Sequence, residues 1–323
     1  MFGRKKIVYV LGSGAAFGIA HVGVLQFLEA MRIKPSAIVG SSMGAFLGCM
    51  YAAGLSSKEI AAIVERFNAP KIANLFMPSF PHGGIVSTDR IREFLFHVVG
   101  DRNIECLPIP FVCVATDIIT GEEVIFNKGP LLDAVIASLS MPGIFAPCRF
   151  AGRQLVDGGL TNPLPMDIAR KLGNFSIAVN VLPRVHPAEK RMNATERLAV
   201  LKEPVEKTPK AMPPFPNIMS ALTAMQHTGT AKGIPGSMAA RMVKNIEDRS
   251  PGIFDVISNM VWIFSRELIR ERRSWGRYLL IEPDVRGFNM FDFTKGTAII
   301  HRGYDAAKEF APRLARLASR WKI

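Results

Sequence analysis

Between residues 5 and 182 the chain alternates short apolar runs of strand length with stretches of helical period. A strand–helix–strand order of this kind is accommodated by a mainly parallel sheet with helices on both faces, because each crossover between parallel neighbours must run over one face. The expected fold class is therefore α/β, three-layer α/β/α. Ile7–Leu11 reads as the first strand, and Gly18–Met31 puts Ile19, Val22, Leu25 and Leu28 on one helical face. Ala37–Val39, Phe111–Thr116, Gln154–Val156, Phe175–Leu182 and Tyr278–Ile281 read as further strands. Helices are expected over Leu131–Ser140, from Asn162 and Pro163 to Leu172, and over Thr297–Ala318.

The second strand runs directly into Gly40-Ser41-Ser42-Met43-Gly44 and then into the apolar stretch Ala45–Ala53. This is G-x-S-x-G in a strand-to-helix context, where a sharp turn lifts the central hydroxyl above the sheet. The flanking glycines Gly40 and Gly44 answer the crowding of such a turn. Ser42 is thus a candidate nucleophile, placed at a helix N-terminus that favours developing negative charge. Ser41 lacks glycines at both second positions and is the weaker candidate.

A loop of small residues, Gly12-Ser13-Gly14-Ala15-Ala16-Phe17-Gly18, joins the first strand to the first helix. Backbone N–H groups turned inward there could cradle the phosphates of a dinucleotide or stabilise an oxyanion. The first use needs G-x-G-x-x-G and a carboxylate at the end of the second strand. Here the spacing is G-x-G-x-x-x-G and that strand ends in Gly40 and Ser41, which disfavours a nucleotide cofactor. His21 fits a helix residue packed against this loop. Farther on, Asp157-Gly158-Gly159 follows a short strand, where Asp-Gly pairs also make ordinary turns. A histidine-dependent triad would have only His301 as a late base, and Ser42 comes too early for the usual strand count of such enzymes. Asp117 is a rival carboxylate, although the Ile-Ile-Thr-Gly after it reads as a turn.

Together, the glycine loop, Gly40-x-Ser42-x-Gly44 and Asp157-Gly158-Gly159 resemble the patatin-like phospholipases, in the bacterial branch related to neuropathy target esterase. Ala20-His21-x-Gly23-Val24-Leu25, Ala115-Thr116-Asp117 with Thr120-Gly121-Glu122, Ala137-Ser138 with Pro142–Pro147, and Asn162-x-x-Pro165 support the resemblance, which runs from about residue 7 to 182 and thinly to 310. It implies a Ser-Asp dyad without histidine, in which Ser42 attacks an ester carbonyl and Asp157 takes its proton. The family's loop of three glycines, a variable residue, a basic residue and a glycine falls on Ser13 to Gly18, so two glycines and the basic residue are replaced. An oxyanion hole from Gly14, Ala15 and Ala16 is expected to survive if Ala15 needs no positive φ. Phe17, in the basic position, cannot attract a phosphate, which points to a neutral ester or lysolipid before a phospholipid. The alternatives are a membrane-associated relative without turnover, and an acyltransferase using the same serine.

The 323 residues carry 40 Lys and Arg against 27 Asp and Glu, a net charge of +13. Such a chain is drawn to polyanions. No nucleic-acid motif is present, so the expected partners are a lipid or acyl-ester substrate and an anionic membrane surface. Cys49, Cys106, Cys113 and Cys148 form no C-x-x-C pair, so no metal is expected and a reduced cytosol fits. Ile7–Leu11 is too short for a signal peptide, and no apolar run reaches the about 18 residues of a spanning helix. The expected organisation is one domain over 1–323, with a core of about 5–182 plus 278–318. Residues 183–276 are read as a Pro-rich, basic, lid-like insertion of loops and short helices.

Overall fold

In the computed structural model the described residues are 6–66, 88–182, 253–271 and 276–321, all within one compact unit formed by Met1–Arg184 and Ile253–Ile323. The prolines 204, 208, 213, 214 and 216 of the expected insertion lie outside the described residues.

Eight strands form a mixed, mostly parallel sheet: β1 Ile7–Leu11, β2 Ala37–Ser41, β3 Phe111–Asp117, β4 Glu123–Phe126, β5 Cys148–Phe150, β6 Arg153–Asp157, β7 Phe175–Val179 and β8 Tyr278–Ile281. They are bonded in the order β5-β6-β3-β2-β1-β7-β8, with β4 added on β3. β1 is buried along its whole length, as the continuous apolar run Ile-Val-Tyr-Val-Leu requires of a central parallel strand. Its alternation splits the interior in two: Ile7, Tyr9 and Leu11 join one hydrophobic cluster, Val8 and Val10 the other. The first cluster is closed by helices α1 Ala20–Ala30, α2 Met43–Ala52, α3 Ser57–Glu65, α4 Asp89–Val99 and α5 Leu131–Leu139. The second is closed by α6 Met166–Leu172 and by Ile269 of α7 Ile253–Glu271. The three-layer α/β/α class is therefore the fold.

The pairing register explains the geometry of the site. Val114 of β3 pairs with both Ser41 and Ile125, and Ala115 with both Val124 and Asp157. A strand residue has one neighbour on each edge, so β6 takes over the edge of β3 at the point where β2 leaves it. Asp157 is thereby set one step beyond Ser41, beside the turn that carries Ser42. The glycine loop follows β1, whose Leu11 pairs with Gly40, so it emerges next to the same turn.

Three expectations change. The final helix is broken into α8 Gly296–Lys308 and α9 Ala311–Trp321, because Pro312 has no N–H to give the Lys308 carbonyl and sits instead in the first turn of a new helix. Asn162 does not cap α6; its amide donates to Glu123 and Asp167, each at 2.8 Å. Within the stretch read as loops and short helices, α7 runs for 19 residues. No helix among the described residues is long and apolar enough to cross a membrane.

Candidate active site

Ser42 stands between β2 and α2 with φ 54 and ψ −123, a conformation that glycine adopts freely and other residues at a cost of about 1–3 kcal/mol. Its surroundings hold it there. The Ser42 N–H donates to Ser138 Oγ at 2.9 Å, and the Ser42 carbonyl accepts from Ala45 and Phe46 at 2.8 and 3.0 Å. The flanking glycines are required by close approach: a methyl on Gly44 would overlap the Leu11 carbonyl oxygen, and one on Gly40 would lie 2.6 Å from the Ala45 Cα. Ser41 is fully buried and accepts from Ser13 Oγ at 2.9 Å, so its hydroxyl faces the structure and not the pocket.

The Ser42 hydroxyl donates to Asp157 Oδ2 in a short hydrogen bond. The other carboxylate oxygen, Oδ1, accepts from Gly159 N at 2.7 Å. That bond is possible because Gly159 leaves room; a methyl there would lie 2.7 Å from Ser13 Oγ. Asp157 is only 5% exposed. Burial pushes its carboxyl up from 3.8 to about 6, against the opposite pull of the bonds from Ser42 and Gly159. A carboxyl of this kind is half ionised near pH 6 and mostly ionised at neutral pH. Turnover is accordingly expected to rise with pH through about 6 and level off above it, because only the carboxylate accepts a proton; a kcat/KM profile checks this.

Of the three expected oxyanion donors, two are free. Gly14 and Ala15 N–H groups donate to no acceptor among the described residues, whereas Ala16 N–H donates to the Met290 carbonyl at 3.0 Å. Ala16 is thus a tether for the loop and not an available donor. Met43, which heads α2 and lines the same pocket, has an N–H without an intrahelical partner. Ala15 does adopt a positive φ, 44, the condition under which its replacement of a glycine was expected to matter. Alanine tolerates that conformation at about 1 kcal/mol, and a β-branched residue does not. Ala15→Val is expected to turn the N–H away and lower turnover at least about tenfold, while Ala15→Gly keeps it; steady-state kinetics with thermal melting separates this from unfolding.

His21 is fully buried, and its Nε2 donates to the Gly12 carbonyl at 2.8 Å, bracing the loop from α1. Burial pushes it down to about 4, so it is neutral and carries its proton on Nε2. Asp117 accepts from Ile119 N at 3.0 Å and Thr120 N at 3.4 Å, which is turn chemistry. His301 is exposed on α8 and does not line the pocket.

The pocket encloses about 710 Å³, counting its open mouth. Ser42, Asp157, Gly14, Ala15 and Gly159 form its polar floor. Its walls are apolar, with Phe17, Met43, Leu139, Ile144, Phe291 and Trp262 among them. Ser265 of α7 donates to the Gly159 carbonyl at 2.9 Å, fixing that helix over the aspartate turn. The sequence reading missed Ser138, Met290 and Ser265 as site residues. Ala137-Ser138 carried a signal as a motif, but none of the three advertises its backbone contact.

Comparison with known proteins bears on the same residues. The family model described as patatin-like phospholipase matches residues 9–170. An uncharacterized NTE family protein of Mycobacterium bovis is 41% identical over 177 residues, 54% of this chain and 49% of the relative. Patatin-like phospholipase domain-containing protein 7 of Rattus norvegicus is 32% identical over 183 residues, 55% of this chain and 14% of the relative. The likeness to the crystal structure of VipD from Legionella pneumophila, with a TM-score of 0.39 and 13% identity over 95% of this chain and 66% of that one, is too slight to bear on the fold. The chain spans about half the length of the mycobacterial relative it matches. With half of its residues inside the family's model, including both the serine turn and the aspartate turn, the chain belongs to the patatin-like phospholipase family.

Proposed function

We propose that the chain is a serine acyl-ester hydrolase acting on lipid esters through Ser42 and Asp157. The observation that carries this reading is the buried hydrogen bond from the Ser42 hydroxyl to the Asp157 carboxylate at the floor of an apolar pocket. Asp157 accepts the hydroxyl proton as Ser42 Oγ attacks the ester carbonyl, and the oxyanion that forms is held by the N–H groups of Gly14, Ala15 and Met43. Collapse of the tetrahedral intermediate expels the alcohol, which takes the proton back from Asp157 and leaves an acyl-Ser42 ester. Water then enters, gives a proton to Asp157 and attacks the acyl carbon; the second collapse returns that proton to Ser42 and frees the acid. The balance closes without metal or cofactor.

The wall residues argue for a long acyl group, and Phe17 argues for a neutral or lysolipid ester. Phe17 is 7% exposed and packed within the core, so it shapes the pocket and supplies no charge to a phosphate. A panel of p-nitrophenyl esters from acetate to palmitate, each assayed against Ser42→Ala, tests the proposal. The expected result is kcat/KM rising from acetate to medium or long chains, with activity lost in the variant. No turnover above Ser42→Ala on any ester would assign a non-catalytic relative. Ester formation from an added alcohol at the expense of free acid would assign an acyltransferase.

A further inference from the structure

Large apolar side chains left in water are ordinary when scattered and informative when grouped. Five of the seven large exposed ones described fall in two groups. Ile118 and Ile119, the latter 73% exposed, form the tip between β3 and β4. Met260, Ile263 and Phe264, the last 57% exposed, lie on the outer side of α7.

Both groups stand at the end of the sheet where Ser42 emerges. β3 continues past the end of β2 alongside β6, so its tip projects beyond the Ser42 turn, and Ile118 N donates to the Gln154 carbonyl at 2.9 Å. α7 is fixed to the turn that follows β6 by Ser265, while Val261 and Trp262 face the pocket between the exposed residues. The segment Asp157–Gly159 therefore lies between the two groups.

Neither group is explained by the fold. In the hairpin the turn is made by Asp117, which accepts from Ile119 N and Thr120 N, and by Gly121 at φ 73; the two isoleucine side chains contribute nothing to it. Arg153 lies 3.5 Å from Asp117 and 3.6 Å from Glu122, so one of the two carboxylate charges beneath the tip is offset by a cation. On α7, Arg266 lies over the Trp262 ring at 5.8 Å, and Arg270 is exposed one turn farther on.

We infer that Ile118 and Ile119 together with Met260, Ile263 and Phe264 form a two-part surface that inserts into the headgroup region of an anionic lipid bilayer and sets the pocket mouth against it. The inference rests on the lipid-ester reading above, since an acyl chain leaving a bilayer must pass from lipid into the pocket with little exposure to water. The net charge of +13 supplies the long-range attraction, and the apolar groups supply the short-range insertion.

Flotation of the full chain with vesicles of equal parts phosphatidylcholine and phosphatidylglycerol tests it, with hydrolysis of soluble p-nitrophenyl butyrate measured in parallel. The full chain is expected to float with these vesicles and to bind pure phosphatidylcholine at least about tenfold more weakly. Ile119→Asp, and separately Phe264→Asp, should each weaken binding about tenfold or more, leaving Tm and butyrate turnover unchanged. Ile119→Ser and Phe264→Ser should weaken it less, in the same order. Binding that is absent in the full chain, or unchanged in the variants, overturns the inference. So does a dimer in solution that the variants split, which would make the surface an interface between copies. Loss of butyrate turnover in Ser42→Ala reports on the hydrolase reading independently of flotation.

Discussion

Ser42→Ala is expected to lower ester turnover by about a thousandfold or more while leaving the protein folded. The loss follows from the roles available in the pocket: without Oγ there is no attacking atom, and Ser41, the neighbouring hydroxyl, is fully buried and bonded to Ser13. A residual rate from binding and the oxyanion donors alone would remain small. The fold should tolerate the change, because Ser42 is tied in by its backbone, through Ser138 and through the first turn of α2, and alanine keeps both. Ser42→Gly separates backbone strain from chemistry. The φ of 54 is a strained value for any residue with a side chain, so glycine should raise Tm by a few degrees while activity is lost equally. A thermal melt beside an ester assay reads both effects. A glycine variant less stable than the alanine variant would mean that the turn is not under strain.

Asp157→Asn is expected to lower turnover about a thousandfold, while His301→Ala leaves it unchanged. The amide can keep the contacts with Ser42 and Gly159 but cannot take a proton. Stability should move the other way. In the folded chain the carboxyl is raised from 3.8 to about 6, so the native state binds the proton more tightly than the unfolded one. The stabilisation this confers is fully present below about 4 and is lost as pH rises through about 6. Above that, the ionised group costs on the order of 3 kcal/mol, which a neutral asparagine avoids except for whatever its weaker hydrogen bonds lose. At pH 7.5 the variant should therefore melt a few degrees higher than the unaltered chain, and the difference should shrink toward about pH 4. The reverse result for His301→Ala and Asp157→Asn in turnover would remove the dyad.

Much of the candidate site's geometry is legible in the sequence because its backbone demands particular residues. The order of strand, small-residue loop, helix, strand and G-x-S-x-G puts the loop and Ser42 each at the end of a strand, and the pairing of Leu11 with Gly40 brings those two ends together. The Asp157-Gly158-Gly159 turn was visible for the same reason, since Gly159 must leave room for Ser13 and for the carboxylate it bonds. What was not legible depends on contacts distant in sequence. The engagement of Ala16 by Met290 joins the first loop to a segment near the C-terminus, and nothing local to either residue signals it. The handover of β3 from β2 to β6 is a matter of register, which alternation alone does not specify when both faces are buried. In contrast, α3 carries a readable local signal: Ser56 accepts from Glu59 N and the Glu59 side chain returns to Ser56 N, a capping box written as Ser-x-x-Glu. α7 was obscured by the prolines before it, although Val261, Ser265 and Ile269 recur at the four-residue spacing of its buried side.

Ser42, hydrogen-bonded to a buried carboxylate, is the proposed nucleophile. Labelling the folded chain with a fluorophosphonate and mapping the modified peptide tests this most directly, because the reagent forms a stable adduct only with an activated serine. The expected result is one adduct, on Ser42, absent in Ser42→Ala and formed much more slowly in Asp157→Asn. Modification of another serine, or no adduct in a chain that melts cooperatively, would contradict it.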